Sequence, residues 1–263
     1  QAALNIEDGI EALRYRRVVI ATDASNIDAT VEAGSAALGA GAVAGAVAIG
    51  AGFARNLIGW TANGTEDPSE VQAYVKDASI DALGELRLTA DADATIEAEV
   101  AAASVALGVG GIAISAAGAG ASTRNRIKTL VKAFIDGTDP GSDGVGAMGI
   151  TANSVSLLAD DSSTITATTG SASLAGSVGA ISGSLSISLA FARNEGANEV
   201  EAYVRDADVT ASGADGISVQ AIDAAMITAT STAASIAADA SWFGGATVAG
   251  GGADAFNTIL TKT

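Results

Sequence analysis

The sequence predicts an all-β, elongated repeat architecture. A β-solenoid is the first reading, and stacked long β-hairpins or sandwich repeats are the alternative. Three observations lead there. A short motif recurs around Ile27, Ile96, Ile165 and Ile227, at spacings of 69, 69 and 62 residues. An asparagine follows each isoleucine, at Asn56, Asn125, Asn194 and Asn257, after 29, 29, 29 and 30 residues. Between them the pattern has period two: Leu185, Ile187, Leu189 and Phe191 share one strand face, and Ser184, Ser186 and Ser188 share the other. A unit that keeps its internal length while its flanks vary is one structural element stacked on itself.

Each copy begins with an alternating run. Leu86, Leu88, Ala90, Ala92, Ala94, Ile96 and Ala98 lie on one face in the second copy; Val155, Leu157, Ala159, Asp161, Ser163, Ile165 and Ala167 do so in the third. Bulky residues at both ends with small or acidic ones between predict a corner in the middle of the run. A stretch of Ala, Gly, Ser, Val and Ile follows, and its apolar phase flips midway, near Gly110, Gly111 and Gly179. A flip of one residue predicts a turn or bulge there. The strands are expected to bury Val, Ile and Leu against layers of Ala and Gly.

The third part is a short strand with an aromatic residue at Tyr74, Phe134 or Tyr203. Two sites tolerate extra length. Trp60 to Ser69 adds nine residues between Asn56 and Tyr74, and Asp136 to Gly149 lengthens the second copy. Residues 1–15 read as a lead-in and 16–263 as a single array, with copies at about 16–84, 85–149, 150–213 and an incomplete 214–263.

Composition narrows the function. Thirty Asp and Glu against 13 Lys and Arg give a net charge of −17, which repels nucleic-acid phosphates and anionic membranes. Cysteine and histidine are absent, so thiol nucleophiles, Cys/His zinc sites and histidine-based triads are excluded. Aromatics at 4% do not supply the girdles of an outer-membrane barrel. Ser104 to Ser122 is long enough to span a membrane, but its glycine content and strand-like alternation argue for a strand. The chain starts at Gln1 with no basic and apolar leader and stops at Leu260-Thr-Lys-Thr263 within a fourth copy, so we expect a segment of a longer protein.

Candidate site residues are mostly repeated ones. Asn56, Asn125, Asn194 and Asn257 either form an amide ladder along the stack or are turn residues that tolerate a left-handed backbone. Tyr74, Phe134 and Tyr203 read as an aromatic ladder, with a sugar-binding platform as the alternative. Asp136, Asp139 and Asp143 lie on a glycine-rich segment that suits Ca²⁺, although it matches no EF-hand or nonapeptide Ca²⁺ repeat. Asp23, Asp91, Asp93, Asp160, Asp161 and Asp223 recur before the isoleucine motif. Carboxylates repeated in every copy are turn formers or surface charges, not the single split-pKa pair of a hydrolase. No catalytic or cofactor-binding residue emerges, and the chain does not read as an enzyme.

Phe191-Ala-Arg-Asn194, the Glu199 to Ala211 block, and Ile217-Ser-Val-Gln-Ala221 followed by Ile227-Thr-Ala-Thr carry a resemblance. The sequence resembles the repeat regions of giant bacterial extracellular and surface proteins, the repeat-rich adhesins and haemagglutinin-like proteins. The second copy departs from this pattern after Phe134, at Asp139-Pro140. The resemblance implies a β-solenoid array, secretion, and a structural role in a filament, sheath or adhesin stalk. Its expected partners are neighbouring copies of itself. A glycan- or cell-binding module, using the Trp60 to Ser69 loop, is the alternative, and a polysaccharide-degrading β-helix is a third reading.

Overall fold

The computed structural model describes residues 16–137 and 149–263. The described residues are strand, turn and coil, with no helix. The first copy holds β1 (Arg17–Asp23), β2 (Asn26–Ile58), β3 (Ser69–Lys76) and β4 (Ile80–Asp81). The second holds β5 (Glu85–Ala92), β6 (Thr95–Ile127), β7 (Thr129–Asp136) and β8 (Gly149–Ala152). The third holds β9 (Ser154–Asp161), β10 (Thr164–Gly196), β11 (Glu199–Arg205) and β12 (Asp208–Ala211). The fourth holds β13 (Ile217–Asp223) and β14 (Met226–Ile259).

Each strand pairs in parallel with its equivalent in the next copy, which gives four sheets in the orders β1-β5-β9-β13, β2-β6-β10-β14, β3-β7-β11 and β4-β8-β12. The register is the sequence repeat itself: Ile27 pairs Ile96, Ile96 pairs Ile165, and Ile165 pairs Ile227. The corner expected within the alternating run falls between β5 and β6, where the backbone N–H groups of Asp93 and Thr95 donate to the carbonyls of Asp23 and Ser25, each at 2.8 Å. Pairing between copies therefore continues around the bend.

The three short walls enclose a body filled by bulky residues. Leu86, Leu88, Val131, Ile150, Val155 and Leu157 are fully buried there, with Ala73, Ala90 and Ala133 between them. A neck of Ile58, Ile96, Ile127 and Ile165 closes the body on one side. Full burial of one such side chain contributes about 1.5–3 kcal/mol.

The long strands do something else. Each folds back on itself midway into a thin blade. In β10 the hydroxyls of Ser171 and Ser188 meet at 2.7 Å, as do those of Ser173 and Ser186, and Ser177 Oγ donates to the Gly183 carbonyl at 2.7 Å. The fold-back lies at the phase flip; there the pairing of β10 with β14 slips by one residue between Gly179 and Ile181, while β10 and β6 stay in register. The two halves lie so close that Ala, Ser, Thr and Gly fill most of the gap: Ala106, Ala113, Ser115 and Ala175 are buried here, and Val100, towards the neck, fits only against Gly52, Ala119 and Ala121. This corrects one expectation. In the blade the bulky residues face outward, and Leu185, Ile187, Leu189 and Phe191 lie on the outer surface. The same alternation that fills the body with Leu and Val is inverted in the blade because the gap is too narrow for them.

Glycine is required where the blade tips crowd. A Cβ on Gly110 would stand 2.2 Å from the Gly41 carbonyl oxygen, and one on Gly39 2.3 Å from that of Gly45. Both obstacles are backbone, which cannot swing aside. Gly110→Ala is therefore expected to destabilise the fold by about 1–3 kcal/mol, the usual cost of overpacking. A denaturant midpoint unchanged from wild type would show that the tip is not packed as described.

Candidate functional site

Two columns of like side chains run along the stack, and ion pairs join the copies at other register positions. The first is the asparagine column. Each Asn lies at the end of a long strand, on the inward parity set by the fold-back. Asn56 Nδ2 donates to Asn125 Oδ1 at 2.8 Å, Asn125 to Asn194 at 2.8 Å and Asn194 to Asn257 at 2.9 Å. Asn125 is fully buried. These residues sit in extended strands, so they are not left-handed turn residues. A buried amide is costly unless paired, and its counterpart in the next copy pairs it.

The second column is aromatic. The Tyr74 and Phe134 rings lie 5.0 Å apart and 7° from parallel, and Phe134 and Tyr203 lie 5.1 Å apart at 10°. Their π-faces are turned to one another. A sugar platform presents those faces to solvent, so the geometry fits the ladder and not the platform. Charged residues pair between copies at three separate register positions. Arg126 holds Glu195 through two 2.8 Å hydrogen bonds, Lys132 pairs Glu201 at 2.8 Å, and Lys262 pairs Glu199 at 2.7 Å. Opposite charges directly across parallel strands stabilise their pairing.

The aspartates before the isoleucine motif brace the neck. Asp161 is fully buried and accepts hydrogen bonds from Thr129 Oγ1, the Ser163 N–H at 2.9 Å and Asn198 Nδ2 at 3.0 Å. Asp23 does the same in the first copy, accepting from Ser25 Oγ and Ser69 Oγ, each at 2.7 Å. They tie the first wall to the third. Sequence reading sees only their recurrence; the recurring Ser or Thr that opens the third wall, Ser69 or Thr129, is the signal that identifies the partner.

Other expected residues are dispersed. Asp136 is engaged by the Arg205 guanidinium, at 3.1 Å from Nε and closer from Nη2. Asp139 and Asp143 lie outside the described residues. Among the described residues no group of three or more carboxylates could hold a metal ion. In the Trp60 to Ser69 loop, Trp60 lies under the Arg126 guanidinium, 3.4 Å from ring centroid to Cζ, and Glu66 pairs Lys128 at 2.6 Å. That loop is docked against the stack. Arg16 pairs Glu85 at 2.8 Å.

Register also places like charges together. Asp160 pairs with Asp91, and Asp161 with Asp223. Burial first, then the charges of Asp91 and Asp161, pushes the Asp160 carboxyl above its usual 3.8. Burial, with the Asp161 charge, raises Asp223 against the opposing hydrogen bond from the Ala225 N–H. Asp136 moves the other way, held low first by its hydrogen bond from Arg205, and Glu201 is held low first by Lys132.

No protein-family model, curated protein or solved structure matches the chain. No helix among the described residues is long and apolar enough to cross a membrane.

Two predictions follow from these columns. Asn125→Ala leaves Asn56 without an acceptor and Asn194 without a donor, at about 1–3 kcal/mol for each group stranded. Unfolding should move to clearly lower denaturant, while Asn257→Ala, which strands only one partner, should move it less; equal shifts would show that the amides do not act as a column. The folded state also holds the Asp160 and Asp223 protons to higher pH than the unfolded chain does. Their contribution favours folding below the ordinary carboxylate range and is lost as pH rises through their raised values. Asp160→Asn should thus raise Tm at pH 7, with the difference vanishing well below pH 3.8. A lower Tm at pH 7 would contradict the assignment.

Proposed function

We propose that this chain is a structural repeat segment of a large secreted bacterial protein. In this reading it is a β-solenoid whose copies build a filament, sheath or adhesin stalk by stacking. The observation that carries the proposal is the amide column: one Asn per copy, each bonded to the next. An active site needs unrepeated residues converging on one place, whereas here the distinctive residues recur at the same position in every copy. The pattern-level resemblance to giant surface proteins supports an extracellular, cell-surface setting. The acidic surface suits a polymer that has to stay soluble.

The first and fourth copies each present strands paired on one side only, among the described residues. Such edges accept further parallel strands. Electron microscopy of the purified protein, in Ca²⁺ and in chelator, tests the proposal. Unbranched threads with an axial spacing of about 4.8 Å are expected. Discrete particles that never associate would overturn the filament reading, and threads that persist in chelator would remove any Ca²⁺ requirement.

A further inference from the structure

The outer surface of the blade is apolar in copies whose strands are covered on both sides. Ile114 is 62% exposed and Ile187 46%, although both strands are interior to their sheet. The face built from the second halves of the long strands carries Val43, Ile49, Ile112, Ile181, Leu185 and Leu189, from the tip towards the neck. Ten residues of extended chain span about 33 Å, and four strands lie about 4.8 Å apart. The patch therefore covers on the order of 500 Å², the size at which an exposed apolar surface on a soluble protein marks an interaction site.

A row of arginines borders this face. Arg55, Arg124 and Arg193 stack in register, all exposed, and Arg55 Nη1 also donates to the Ala62 carbonyl at 2.8 Å. Among the described residues no carboxylate lies within ion-pair distance of any of them, although Arg126, one strand position beyond Arg124 on the same outward parity, has Glu195. Three adjacent like charges in a chain of net charge −17 lack a counter-charge of their own.

The opposite face supplies it. The fold-back sets Ser171 against Ser188 and Ser173 against Ser186, so level positions in that copy sum to 359. By the register between copies, Asp28 stands level with Arg55 and Glu97 level with Arg124, on opposite faces of the blade. Neither carboxylate has an ion-pair partner among the described residues. Shape matches too. Level with the Ile187 and Leu189 ridge, the acidic face has a trough lined by Gly34, Ala101, Ala103, Gly170 and Ala172, with Glu32 beside Gly34 in the first copy.

We propose that blades of separate copies of this chain pack side by side, the arginine-bordered face of one on the acidic face of the next. A sideways step with a tilt about the stacking direction sets Arg55 on Asp28, Arg124 on Glu97, and the Ile187 ridge in the small-residue trough. The contact is heterologous, so it repeats. A blade is thinner than its body, so successive copies fan with their blades inward and their acidic bodies outward. This lateral contact deepens the structural reading above and fails separately from it. Threads that remain one stack wide keep that reading and remove this one.

Charge exchange tests it, read by sedimentation velocity. The wild type should form species larger than 25.4 kDa in a concentration-dependent way. Arg55→Glu with Arg124→Glu in one chain, or Asp28→Lys with Glu97→Lys in another, should each weaken lateral association at least tenfold at unchanged Tm. Mixing the two variants should restore it, because each then meets the opposite charge. A monomeric wild type, variants that associate like wild type, or a mixture that stays dissociated would overturn the proposal. So would a monomeric wild type that co-floats with phosphatidylcholine vesicles, which would assign the face to lipid.

Discussion

Every side chain in this stack sits beside its own equivalent, about 4.8 Å away in the next copy. The parallel, in-register pairing imposes this at every position of the repeat. A residue must therefore be compatible with itself. Amides satisfy the condition because each carries both a donor and an acceptor, and aromatic rings satisfy it by stacking their faces. Charges do not, and the molecule handles them in three ways: pairing opposite signs between copies, as at Arg126 and Glu195; anchoring a carboxylate with hydroxyls and amides, as at Asp161; or leaving like charges exposed, as at Arg124 and Arg193.

A second constraint is thickness. Where three walls enclose space, Leu, Val and Ile fill it. Where a long strand folds onto itself, the facing hydroxyls of Ser173 and Ser186 touch, and a residue as large as Val100 fits only near the neck against glycine and alanine. The blade thus has a polar, small-residue interior and an apolar exterior, the reverse of an ordinary sandwich. Its interior contributes little hydrophobic stabilisation. Cohesion there comes from backbone pairing between copies, with Ser–Ser hydrogen bonds and close-packed alanines across the gap.

Much of this was legible in the sequence. The constant 29-residue interval from isoleucine to asparagine marks the long strand, because a stacked element cannot change length without breaking register. The phase flip at Gly110 and Gly179 marks the fold-back. The direction of burial in the blade was not legible. Period two shows that Leu185 and Ser184 face opposite ways but not which side is inside. That is settled by the distance between facing sheets, a property of the assembled layer. The link from Asp161 to Asn198 was likewise hidden, since it joins two walls separated by the whole blade.

The amide column has one more property. Each Asn donates towards the higher-numbered copy and accepts from the lower, without a reversal. Aligned dipoles of this kind polarise one another. The column is therefore vectorial: it has a leading end that offers hydrogens and a trailing end that offers lone pairs. A further layer joins it with its amides in register only if its chain runs in the same sense, so this line of single side chains gives the stack a head and a tail.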